Sequence, residues 1–178
     1  MNKPLFFFLA IAFSVPAWLS SAIAREKPYE GKCLYINKEK EEQNFKSCQV
    51  NFQQKKLVIN FKQEKYQDNN QTIAGQSIEE IASGKYAEKL LSDSSSIVSQ
   101  TLLGPINLVG KILVPDRDYQ QYIIKYKDTA GEETATILNV NRSDAPEFQQ
   151  ELTISTGRLI NFQPGQTNNV IDIGPELK

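Results

Sequence analysis

The sequence predicts a mainly β domain with one C-terminal α-helix, and three observations carry that prediction. Segments between Gly31 and Lys62 alternate apolar and polar residues with a period of two. The run "DYQQYIIKYKDTAGEETATILNV" does the same on both sides of a turn. A capped-helix signal, "SDAPEFQQELTISTG", follows it.

In chain order, "GKCLYIN" is the first strand, near residues 32–37. The charged loop "KEKEEQNFK" separates it from "SCQVNF", near 46–53, and "KLVINFK", near 56–62. Successive side chains of a strand point to opposite faces, so Cys48, Val50 and Phe52 share one face, as do Leu57, Ile59 and Phe61. The turn cluster "YQDNNQ" leads into a fourth strand near 74–82. Ile78 and Ile81 are also spaced for a helical turn, but Gly75 and Gly84 bracket too short a span. A fifth strand is placed only loosely, between 86 and 114, with the polar link "SDSSS" inside that range.

The hairpin at 118–140 turns at Asp128-Thr129-Ala130-Gly131. Tyr122, Ile124 and Tyr126 point one way on its first arm, and Thr136, Leu138 and Val140 share a face on its second. The helix spans 144–156, with Asp144 as N-cap, Glu147 in capping-box register and Pro146 in the first turn. Ala145, Phe148 and Leu152 form its apolar stripe and Gly157 ends it. Residues 158–178 are rich in turn formers and read as a loosely attached tail.

The first 24 residues, "MNKPLFFFLAIAFSVPAWLSSAIA", have a single charge at Lys3, an apolar core from Leu5 to Val15, and a small-residue end at Ala22-Ile23-Ala24. That is the pattern of a secretory signal peptide cleaved after Ala24, the alternative being an uncleaved anchor. The apolar core falls short of the roughly 20 residues that span a bilayer. Removing these 24 of 178 residues leaves 154, enough for one domain, expected over 25–157. The mature chain has 19 basic and 21 acidic residues, a net charge of about −2, and no transmembrane segment is expected in it. It carries no clustered basic face of the kind nucleic acid requires. The sequence gives no indication of oligomeric state.

Cys33 and Cys48 are the two cysteines. An oxidising compartment, periplasmic or extracellular, favours a disulfide between them, whose loop closure stabilises by about 3 kcal/mol in the chain-entropy picture. The alternative is two separate thiols. The charged loop lies midway between them, so a hairpin there is expected to set Cys33 opposite Cys48.

There is no histidine, which removes the commonest general base and every Ser-His-Asp or Cys-His arrangement. Two cysteines alone make no zinc site. Asp116 and Asp118 flank Arg117 without a glycine-anchored calcium loop. Glu79 and Glu80, or Glu132 and Glu133, are adjacent strand residues and diverge. No metal, cofactor or catalytic residue is therefore expected.

The order of strands, the D-x-x-G turn and the final helix, over roughly residues 31–157, resemble the small exported bacterial members of the pleckstrin-homology-like superfamily. The resemblance implies a barrel of about seven antiparallel strands capped by the C-terminal helix. Phosphoinositide-binding members cluster Lys and Arg beside the first loop. Here Glu39, Glu41 and Glu42 lie among Lys38, Lys40 and Lys46, so that activity does not carry over.

The most apolar run of the mature chain is "LLGPINLVGKILVP". Glycine, proline, Asn107 and Lys111 cut it into pieces too short to span a membrane. It reads first as a partly buried connection that contributes Ile106, Leu108, Ile112 and Val114 to the core, the alternative being an exposed contact surface formed by Leu103, Ile106, Leu108, Val109 and Ile112. The leading functional expectation is a non-enzymatic binding or structural module of the cell envelope. Its partner would be a protein or peptide, met at an edge strand and the groove beside the C-terminal helix. An apolar-ligand or lipid carrier is the alternative, and an enzyme of unfamiliar type comes third.

Overall fold

A computed structural model of the protein describes residues 27–37, 42–93 and 117–163. Three strands come first, β1 (Tyr29–Asn37), β2 (Glu42–Gln53) and β3 (Lys56–Phe61). A 3-10 segment (Glu64–Asn69) leads to β4 (Gln71–Ala74), and a second one (Gly75–Ser77) leads to β5 (Ile78–Ser83). Helix α1 (Gly84–Ser92) follows, then β6 (Tyr119–Lys127), β7 (Glu133–Asn141), helix α2 (Ala145–Thr156) and β8 (Ile160–Asn161). The strands form one eight-stranded sheet in the order β4-β3-β2-β1-β7-β6-β5-β8. Every neighbouring pair is antiparallel except β5 and β8.

The sheet is open where a closed barrel was expected, because no ladder joins β4 to β5. Gly75 is the reason the expected fourth strand breaks in two. Its N–H donates to the Lys55 carbonyl at 2.8 Å, and a Cβ there would stand 2.5 Å from the Ser155 carbonyl oxygen. Only a residue without a side chain fits that approach. Across the open seam, Tyr126 Oη donates to Gln71 Oε1 at 3.4 Å.

Ile73 of β4 and Ile78 of β5 nevertheless bury in one core, so the sheet curls around it. Alternation places Tyr29, Val50, Ile59, Ile124, Leu138 and Val140 on that inner face, and α2 adds Phe148 and Leu152. The outer face carries Leu34, Ile123, Ala135 and Ile137, against which α1 lays Ala87 and Leu91. Helix α1 replaces part of the loosely placed fifth strand. Gly84, with φ of 57°, turns the chain out of β5, and the four-residue spacing of Ala87 and Leu91 supplies one apolar stripe. The apolar run 102–115 lies outside the described residues.

Two smaller expectations also shift. Asp144 makes no side-chain cap; its backbone is already in the helical region, with φ −92° and ψ −11°, and its carbonyl accepts from the Phe148 N–H at 2.9 Å. Gly157 does end the helix in a left-handed turn, φ 67° and ψ 17°, with its N–H donating to the Thr153 carbonyl. The chain then runs on into β8, inside what the sequence reads as tail.

Tyr122 is fully buried, and its Oη accepts from Gln149 Nε2 at 2.9 Å. Burial pushes its phenol up to about 12, with the Gln149 hydrogen bond pulling the other way. A raised folded-state value means that folding favours the neutral phenol. Its contribution is complete below the unfolded value near 10.0 and is lost as pH rises through about 12. Tyr122→Phe is expected to lose less stability than the parent between about pH 9 and about pH 11.5. Denaturant melts at both pH values check this; parallel losses in the two proteins would contradict it.

Candidate functional site

The disulfide forms as expected between Cys33 and Cys48, both buried on the inner face, with their Cα atoms 5.8 Å apart. The pair is diagonal, however. Cys33 lies opposite Lys46, and Cys48 lies opposite Gly31. A slip of two residues keeps both sulfurs on one face, which is why the pairing survives a register that spacing alone misjudged.

Among the described residues, the other sequence candidates stand in separate pairings. Ala22, Ala24, Leu103, Ile106, Leu108, Val109, Ile112 and Asp116 lie outside the described residues. Glu79 accepts from Lys127 at 3.0 Å and lies 3.7 Å from Lys125, whereas Glu80 accepts from the Tyr86 hydroxyl at 2.6 Å. These lysines hold the Glu79 carboxyl below its usual range, and Glu80 pushes the Tyr86 phenol up to about 12. Each glutamate thus serves a separate surface pairing. Lys46 is turned onto Tyr66, its Nζ 5.0 Å from the ring, with Lys65 Nζ at 4.9 Å. Hydrogen bonding to these two lysines holds the Tyr66 phenol below its usual value. Among the described residues no three His, Cys, Asp or Glu side chains group as metal ligands would.

A concave surface does form where three distant pieces of chain meet. The first is the β2–β3 hairpin tip, Gln54–Lys55, closed by the pair Gln53 and Lys56. Both tip residues have positive φ, 50° and 61°. Such two-residue turns usually employ Asn-Gly, because a side chain in this region costs about 1 kcal/mol. The Gly75 N–H on the Lys55 carbonyl helps hold the tip in place. Gly75–Ser77, the second piece, packs in turn on the last turn of α2, the third.

Between them lies a cleft of about 460 Å³, lined by Lys55, Lys56, Ala74, Gln76, Ile154 and Thr156 among others. Ile154 is the most exposed large apolar side chain of the described residues, at 64%. It sits two positions after the buried Leu152, on the other side of the helix from the Ala145–Phe148–Leu152 stripe. That misplacement was the available sequence signal. Its meeting with Lys55 and Gln76 depends on tertiary folding and had no local signature.

Two sheet edges bear on recognition. Beside α2, the edge of β5 is taken by the chain's own β8, which pairs through Ile81–Ile160 and Ala82–Asn161. Arg158 Nε also donates to the Ile78 carbonyl at 3.1 Å, and the Tyr86 N–H to the Phe162 carbonyl at 3.3 Å. At the other end, β4 terminates the sheet, and its last residue, Ala74, opens into the cleft. Among the described residues no helix is long and apolar enough to cross a membrane. Compared with known protein families the chain matches none, and no curated protein matches it either.

Proposed function

We propose that the chain is exported, loses residues 1–24, and serves as a non-enzymatic binding module of the cell envelope that recognises a protein or peptide. A pleckstrin-homology-like fold accompanies this reading. It is supported by four strands, then three, then a helix packed on their common core, although α1 and β8 are additions to that plan. The disulfide is compatible with an oxidising compartment.

The observation that carries the binding reading is the cleft itself. An exposed isoleucine, a strained hairpin tip and the terminal strand of a sheet converge there. Exposed apolar groups and strained backbone concentrate where proteins meet ligands. The carrier alternative needs the inner core as its cavity, but Tyr29, Phe52, Tyr122 and Phe148 bring their rings together there.

A photo-crosslinking amino acid at position 154, in protein exported by the cells that make it, is expected to capture one envelope protein reproducibly. The same group at Glu88, on the exposed side of α1, is the control. Absent capture at 154, or the same products from both positions, would overturn the assignment.

A further inference from the structure

We infer that the cleft selects an acidic, extended peptide segment, whose carboxylates meet Lys55 and Lys56 and whose apolar side chain lies on Ile154. The inference rests on the binding reading above and names the chemistry of the partner. The ten residues that line the cleft include two lysines and no carboxylate. Neither lysine is ion-paired among the described residues, whereas Lys62 pairs with Glu30, and Lys125 and Lys127 pair with Glu79. Both lysines are exposed at the rim of one concavity.

The end of α2 also borders the cleft, and a helix C-terminus carries a partial negative charge of about half a unit. Its effect is reduced here. The Thr153 carbonyl accepts from the Gly157 N–H, and the Leu152 carbonyl accepts from Thr156 Oγ1. Two ammonium groups outweigh what remains. The extended shape follows from β4, whose outer side has no sheet neighbour among the described residues and which leads directly into the cleft at Ala74. A second copy of this chain docking by the same face would set lysine against lysine, which disfavours it.

Three capped eight-residue peptides alternating valine with glutamate, glutamine or lysine serve as probes, titrated into the isotope-labelled protein. The glutamate peptide is expected to shift the amides of 54–56, 74–76 and 154–157, and to bind about tenfold more tightly than the glutamine peptide. Lys55→Glu/Lys56→Glu should remove that preference and favour the lysine peptide, while leaving the rest of the spectrum unchanged. Equal binding of the glutamate and glutamine peptides at the cleft would overturn the acidic selectivity and leave the binding reading standing. Failure of all three to shift cleft amides would count against both.

Discussion

Replacing Phe148 by alanine is expected to destabilise the domain by about 3–5 kcal/mol. The side chain is fully buried, and its ring centroid lies 5.1 Å from that of Tyr29, 5.5 Å from Phe52 and 5.0 Å from Tyr122. Those partners come from β1, β2 and β6, so one residue of α2 ties the helix to both halves of the curled sheet. Truncation would forfeit the transfer energy of the ring and leave a cavity walled by three other aromatics, which cannot all move in. Phe148→Leu, retaining most of the volume, should cost clearly less. Denaturant titration checks both, read as a lower midpoint at unchanged slope. A loss below about 1 kcal/mol for the alanine variant would mean that α2 is not an integral part of the core.

The second large effect belongs to the disulfide. Cys33→Ala/Cys48→Ala is expected to cost about 3 kcal/mol, from the added freedom of the unfolded chain between the two positions. In a domain of this size that is about 10 °C in melting temperature. Alanine is the appropriate substitution because both positions are buried, at 1% and 0% exposure, and a serine hydroxyl would need a partner there. No free cysteine exists alongside the pair, so an alkylating reagent should label nothing until reductant is added. Two labelled thiols in native protein without reductant, or an unchanged melting temperature in the double variant, would contradict the assignment and weaken the case for export.

Much of this architecture was legible because half-buried strands announce themselves. The alternation at Cys48–Val50–Phe52, at Leu57–Ile59–Phe61 and along the hairpin from Tyr122 to Val140 corresponds to the inner face of the structure. Helix α2 was legible from its stripe and from Gly157, even though Asp144 contributes its backbone and no side-chain cap. What escaped has identifiable causes. Helix α1 is nine residues long, and a single Ala87–Leu91 step is too brief a period to separate from its polar surroundings. The break at Gly75 is imposed by the carbonyls of Lys55 and Ser155, which arrive from 20 and 80 positions away. A two-residue strand such as β8 has no period at all. The cleft followed the same rule, since its residues come from three separate parts of the chain and only Ile154, apolar off its helix's stripe, departs from its local pattern.

The short parallel pairing at β8 bears on how the molecule behaves in a crowd. An uncovered strand offers a row of hydrogen-bonding groups to any other chain, and this is how soluble β proteins begin to polymerise. Here Ile160 and Asn161 lie along β5, and the Arg158 guanidinium sits on a further carbonyl of that strand, at Ile78. The sheet therefore continues past Gly157. A chain trimmed at that glycine would keep its aromatic interior yet present raw β5 to its neighbours, inviting fibrils.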